Sequence, residues 1–227
     1  MDVLDNIPVE ISPETVLKRM RMRRRSRMME ELVAELVTRA KPVARPKAVY
    51  DVCPVAEKGG VSVSVGGVAF TSRLMRDNFA GVERAFPFVA TCGRELDDID
   101  IERGDMMAVF VLDTIKLVAL GAATPFLSEH LMERYQLADL SSMNPGDLAS
   151  WPITEQGPLF SIFGDVEKLI GVRLTEGFAM VPTKSASGIH YQGETHFEDC
   201  LLCPIIDCPG RRLPYDAALA GKYRQTA

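Results

Sequence analysis

Cys200, Cys203 and Cys208 form a Cys-x2-Cys-x4-Cys array in the segment Cys200-Leu201-Leu202-Cys203-Pro204-Ile205-Ile206-Asp207-Cys208-Pro209-Gly210-Arg211-Arg212. Three thiols within nine residues can converge on one ion, because a two-residue spacer lets both thiolates of a Cys-x-x-Cys turn face inward. The array therefore predicts a metal or cluster site. A disulfide plus a spare thiol is the plain alternative, and it fits poorly: five cysteines in 227 residues are odd in number and low in density. The start, Met1-Asp2-Val3-Leu4-Asp5-Asn6, lacks the charged-then-apolar pattern of a secretory signal, so a reducing cytoplasm is the expected compartment.

Three residues are candidates for a fourth ligand. His196 would give His-x3-Cys-x2-Cys-x4-Cys and suit a tetrahedral structural zinc, whereas Cys92 or Cys53 would suit either zinc or an iron–sulfur cluster of the 4Fe–4S type. Cys53 and Cys92 also read as small buried hydrophobes. Asp207, Arg211 and Arg212 flank the array, where the arginines could hydrogen-bond thiolate sulfur or meet an acidic partner.

The elements that must position these groups follow from composition and pattern. At 47% hydrophobic and 25% charged, the chain can bury a sizeable core. A net charge of -5 excludes nucleic-acid binding as the main purpose, although seven of the ten residues from Lys18 to Arg27 are basic. That run could dock an acidic partner or be an ordinary charged surface balanced by Glu30, Glu31 and Glu35. The stretch from Met106 to Leu127 is long enough to span a bilayer, but Asp113 and Lys116 would each cost about 2.5–3.5 kcal/mol at its centre, so it reads as a buried helix.

Behind a Ser12 cap and Pro13, apolar positions at Val16, Leu17, Met20, Met29, Leu32, Val33, Leu36 and Val37 predict one amphipathic helix of about seven turns, interrupted in its stripe by Arg24 and Arg25. Ala48–Cys53 reads as a strand. Val61–Val65 and Val68–Phe70 read as a hairpin around Gly66-Gly67. A short helix over Ser72–Phe79, a buried strand over Ala85–Thr91 and a long helix over about Asp105–Gln136 follow, then turns, helical turns over Leu159–Leu169 and a β-rich stretch over Gly171–Tyr191. The chain divides on this reading into a basic amphipathic helix (1–41), an α+β core (42–197) and a cysteine-rich segment (198–227).

Two further stretches carry chemistry. Ser142-Met143-Asn144-Pro145-Gly146-Asp147 contains a Pro-Gly turn whose backbone donors could bind a carboxylate, with Asp147 placed to accept from an amine or a ribose hydroxyl. The second runs Leu174-Thr175-Glu176-Gly177-Phe178-Ala179-Met180, then through Pro182 to Ser185-Ala186-Ser187-Gly188-Ile189-His190-Tyr191. This run resembles the C-terminal activation domain of cobalamin-dependent methionine synthase, where a Leu-Thr-Glu-Ser-Phe-Ala-Met segment leads through a Pro into Ser-x-Ser-Gly before an aromatic strand. Pro145-Gly146 followed by Thr154-Glu155 is similar to that family's Pro-Gly-Tyr-Pro segment, and Leu131-Met132-Glu133-Arg134 to its Leu-His-Glu-Arg helix.

The resemblance implies an α+β fold, a twisted antiparallel sheet with long helices. It implies binding of S-adenosylmethionine and reductive activation of a corrinoid, with Co(II) converted to methylcobalamin. Ligand contacts are expected at Glu129, Asn144, Pro145, Gly146, Asp147, Met180, Ser185, Ser187, Gly188 and His190, of which Asp147 stands where the family has Tyr and His190 where it has an aromatic. The family's Arg three residues before the Pro-Gly turn is Ser142 here, so a ligand carboxylate needs other donors, such as the backbone amides of Gly146 or Arg173. No Asp-x-His-x-x-Gly motif is present, so cobalamin would arrive on a partner, a corrinoid protein or methionine synthase. The metal site, with Cys200, Cys203, Cys208 and His196, is an addition to the family pattern. As an iron–sulfur cluster it could deliver the low-potential electron otherwise taken from an external donor. The competing expectation is a non-catalytic corrinoid-protein adaptor closed by structural zinc.

Overall fold

A computed structural model describes residues 1–22, 26–57, 59–208 and 210–224. In chain order the elements are β1 (Asp2–Leu4), α1 (Pro13–Met20), α2 (Arg27–Ala40), β2 (Lys47–Tyr50), β3 (Cys53–Glu57), β4 (Ser62–Val65), β5 (Val68–Thr71), α3 (Arg73–Asn78) and β6 (Arg84–Thr91). Then come α4 (Met106–Tyr135), β7 (Ser141–Met143), α5 (Gln156–Ser161), α6 (Val166–Ile170), β8 (Arg173–Leu174), β9 (Met180–Val181), β10 (Ser185–Tyr191) and α7 (Ala217–Arg224).

β6 is the centre of an eight-stranded antiparallel sheet. Every residue from Ala85 to Thr91 is buried. Along one edge it pairs with β10, from Ser185↔Thr91 to Tyr191↔Ala85. Its other edge is shared by β2, from Lys47↔Thr91 to Tyr50↔Phe88, and by β3, at Cys53↔Ala85 and Pro54↔Arg84. The strand expected over Ala48–Cys53 is thus two strands laid end to end on β6. β7 closes the far side of β10, while β3, β4 and β5 form a meander. Its last turn is the expected hairpin: Gly66 and Gly67 both have positive φ, 59° and 85°, as a tight turn matched to strand twist requires.

The helices pack on this sheet and on one another. The single helix expected at the N-terminus is two. Arg21 turns into the left-handed region at φ 51° and ends α1, and the Ser26 side chain accepts from the Met29 N–H to start α2. Arg24 and Arg25, expected to interrupt the stripe, lie outside the described residues. Val16, Leu17 and Met20 of α1 and Val33, Leu36 and Val37 of α2 share one core with Val111, Ile115 and Ala119 of α4.

α4 begins where Asp105 accepts from the Met107 and Ala108 N–H groups, and ends at Gln136 with φ 53°. It is long and apolar enough to cross a membrane by length and composition. In the fold the two charges within its apolar stretch are matched inside the protein, Lys116 to Asp97 at 2.6 Å and Asp113 to Lys184 at 3.1 Å. Its Ala108, Val111, Ile115, Ala119, Ala123, Leu127 and Leu131 are buried, as the buried-helix reading requires, while Met106, Val109 and Phe110 are exposed.

Removing the cap that divides the first two helices tests its energetic role. Ser26→Ala should lower stability by about 1 kcal/mol, the usual cost of a lost N-cap oxygen, measured by urea denaturation.

Candidate functional site

A cavity of about 740 Å³ opens where three segments meet: the turn after β7, the β9–β10 segment and the cysteine-bearing tail. The turn contributes Asn144, Pro145, Gly146 and Asp147, with Ile153 and Gln156 behind it. Met180, Ser185, Ala186 and Ser187 form the second wall, and Asp199, Cys200, Cys203, Ile205, Cys208, Gly210 and Arg212 form the third.

Asn144 joins all three walls. Its backbone N–H donates to Asp199 Oδ2 at 2.7 Å and its side-chain Nδ2 donates to the Ser187 carbonyl at 2.8 Å. Gly146 adopts φ +93°, and a Cβ there would stand 2.8 Å from Ile153 Cδ1. Its N–H donates to the Trp151 carbonyl at 2.8 Å, with the Trp151 ring buried edge-on to Phe70. The Gly146 amide is therefore committed to the turn and is not the carboxylate donor expected of it. Arg173 lies in β8, paired with Val181, and lines a different depression. The Leu174–Met180 run folds back on itself, with the Thr175 N–H donating to the Ala179 carbonyl at 2.9 Å, which delivers Met180 to the cavity.

Three residues expected to contact a ligand stand off the cavity wall. Gly188 lies within β10, where a Cβ would fall 2.5 Å from the Met143 carbonyl; its smallness serves strand packing. His190 is buried and stacks on Phe88 with ring centroids 4.3 Å apart. Burial pushes it down to about 4, only partly opposed by the Ser141 backbone, so the ring is neutral at pH 7. Glu129 is exposed on α4. His130, on the same helix, shares a 3.0 Å hydrogen bond with the Tyr50 hydroxyl.

Two carboxyls, Asp147 and Asp199, line the cavity, and Glu198 adjoins Asp199 in the chain. Asp199 is buried, and that burial, reinforced by Asp147, pushes its carboxyl up to about 8 despite the hydrogen bond from Asn144. Asp147 is exposed as a residue, yet protein around its carboxyl raises it, against the pull of Arg212. Burial also raises Glu198, which the Arg212 guanidinium contacts as an ion pair.

Cys200, Cys203 and Cys208 all face this cavity, on a loop ordered by Arg211. That guanidinium donates to the carbonyls of Cys200, Cys203 and Ile205, each at 2.7 Å, and to that of Leu213 at 2.9 Å. The expected arginine contact to sulfur is made by neither guanidinium; the backbone N–H of Arg212 donates to Cys200 Sγ at 3.4 Å. Among the described residues no three His, Cys, Asp or Glu side chains are grouped closely enough to hold an ion. None of the three candidates for a fourth ligand lines the cavity. His196 Nδ1 pairs with Asp139 at 2.7 Å, and Cys53 and Cys92 sit in two hydrophobic cores, where burial pushes the thiols up to about 11 and about 12.

Asp199, Gln156 and Ile205 are wall residues that sequence reasoning missed. Arg212 was noted only as a neighbour of the thiols. An Asp immediately before the first cysteine was the available signal for Asp199.

The buried carboxyl and the buried imidazole give opposite pH dependences. His190, depressed, contributes stability that is present above about pH 6.5 and is lost as pH falls toward 4. Asp199, raised, contributes stability that is present below about pH 4 and is lost as pH rises toward 8. Between about pH 6.5 and 8 the Asp199 effect acts without the other, so stability should fall across that window, and Asp199→Asn should flatten the decline in denaturant titrations at each pH.

No protein-family model matches the chain, and no curated protein matches its sequence. Among solved structures it is similar to the MetH reactivation domain, determined bound to AdoHcy. The match has TM-score 0.58 and 15% identity and covers 87% of this chain and 81% of that one. A central antiparallel sheet carrying one long helix is common ground with the sequence resemblance, and the chain has the fold of the methionine synthase reactivation domain.

Proposed function

We propose that this chain binds S-adenosylmethionine in the cavity between the Asn144–Asp147 turn, β10 and the tail, and presents its methyl group to the corrinoid of a partner protein. The observation carrying this reading is convergence. Asn144, Pro145, Gly146, Asp147, Met180, Ser185 and Ser187, seven of the ten residues expected to contact a ligand, line one cavity in a chain whose structural neighbour was solved with AdoHcy.

In the proposed reaction the substrate Co(II) accepts one electron from a redox protein and becomes Co(I). The Co(I) electron pair then forms a bond to the methyl carbon. The carbon–sulfur bond breaks with its pair left on sulfur, giving methyl-Co(III) and a neutral thioether. The chain's own residues orient and exclude water more than they transfer protons. Ile153, Met180 and Ile205 offer apolar surface to the nucleoside, and Asp147 offers negative charge near a sulfonium. The partner on this reading is a corrinoid protein or methionine synthase.

The cysteine loop is the second part of the proposal. Three thiols on one wall, with a backbone N–H already directed at Cys200 sulfur, fit a loop that draws together around zinc or a 4Fe–4S cluster. A cluster would supply low-potential electrons. Zinc would hold the tail as a wall and favour the adaptor reading.

Two experiments test these readings. Titration calorimetry should detect S-adenosylmethionine and S-adenosylhomocysteine, and a partner corrinoid protein held at Co(II) should convert to methyl-Co(III) only with chain, methyl donor and reductant together; absence of both would sink the activation reading. Protein purified without oxygen should contain bound metal that the triple change of Cys200, Cys203 and Cys208 to Ser abolishes. Iron with sulfide would favour the electron-delivering form and zinc the adaptor, while metal-free protein would overturn the site.

A further inference from the structure

We infer that Arg212, carried on the cysteine-bearing tail, binds the carboxylate end of the cavity's ligand while Asp147 receives its ammonium, so that the site selects an amino-acid-bearing nucleoside over the bare nucleoside. The inference rests on the ligand reading above and adds the residues that read the ligand's charged end.

Three observations converge on Arg212. Among the described residues lining the cavity it is the one cation. Two nearby donors that a carboxylate might use are occupied: the Gly146 N–H is held by Trp151, and Lys184 is paired with Asp113. Arg212 itself is only partly used. Its side chain is 54% exposed, Glu198 takes Nη2, and its remaining guanidinium donors have no partner among the described residues. A guanidinium presents five N–H donors in a planar fork, so one carboxylate partner leaves capacity for a second, bidentate one.

Asp147 supplies the opposite charge. It sits on the turn rather than the tail, near enough to Arg212 for their charges to interact, and its carboxyl accepts no hydrogen bond among the described residues. An α-amino acid group carries its ammonium and its carboxylate on one carbon. Arg212 on the tail and Asp147 on the turn offer a cation and an anion on different walls to that pair, while the second carboxyl of the lining, Asp199, already accepts from the Asn144 N–H. Ile153, Met180 and Ile205 are the apolar part of the lining and would receive a nucleoside without distinguishing its charged end.

The test is calorimetry on the full chain with S-adenosylhomocysteine and 5′-methylthioadenosine, which share the thioether nucleoside but differ in the amino-acid group. Arg212→Gln should weaken S-adenosylhomocysteine about ten- to a hundredfold, the scale of a lost charge-assisted hydrogen bond pair, and leave 5′-methylthioadenosine unchanged. Arg212→Lys should recover part of the loss, and Asp147→Asn should act in the same selective direction. Unchanged S-adenosylhomocysteine affinity in Arg212→Gln, or equal weakening of both ligands, would overturn the assignment while leaving the ligand reading intact. Wild-type protein that binds neither S-adenosylmethionine nor S-adenosylhomocysteine would overturn both together. Matched thermal unfolding of wild type and variants establishes that binding, not folding, is being read.

Discussion

Seven consecutive antiparallel pairs between β6 and β10 hold a late segment of the chain against its most buried strand. This ladder decides where everything near the cavity lies. Side chains alternate across a strand, so Ser187, Ile189 and Tyr191 share one face, and Ala186, Gly188 and His190 share the other. Ile189 and Tyr191 enter the core with Phe70 and Trp151, while Ala186 packs toward Phe88 and Ala90. A slip of one residue would exchange those sets. Gly188 guards the register, since only hydrogen fits between the Met143 carbonyl and Phe88.

From that strand the rest of the site is assembled by short tethers. β7 joins β10 over Ser141–Met143, and the Ser142 N–H donates to the Phe197 carbonyl at 2.9 Å, so the tail begins where β7 has been fixed. Asn144 then bonds to Asp199 and to Ser187, linking turn, tail and strand through one residue. The carboxylates gathered there are a consequence of this convergence. Asp199 is held by an amide inside the protein, and its neighbours Asp147 and Glu198 lose water to the same packing. Arg212 is the countercharge within reach of all three.

Much of this architecture was legible in the residues. The Gly66-Gly67 hairpin, the central strand and the long helix have strong local signatures: paired glycines, an unbroken apolar run, and an Asp105 cap ahead of apolar periodicity. Other elements were not. β7 reads Ser-Ser-Met, with no β-branched residue, and exists because β10 and Phe197 offer partners on either side. The division of the first helix turned on Ser26, a cap hidden inside a continuous apolar periodicity. In the site, the Pro-Gly turn and the Ser185–Ser187 strand were found from motif likeness, and both line the cavity. His190 is buried farther along the same strand, where its ring stacks on Phe88. Arg212 was seen beside the thiols, but its place on the wall depends on tertiary folding of the tail.

The Arg211 clamp has a consequence for how freely this tail can vary. Its guanidinium engages main-chain carbonyls, which every amino acid provides, so the path of the loop is specified without reference to most of its side chains. Pro204, Ile206 and Asp207 are exposed on that loop, and of Ile206 the clamp uses only the carbonyl, which accepts from Arg211 Nε at 3.2 Å. The wall can therefore be retextured by exchange at these positions while its backbone stays in place. A single exchange at position 211, by contrast, would release five carbonyls at once and with them the shape of the wall.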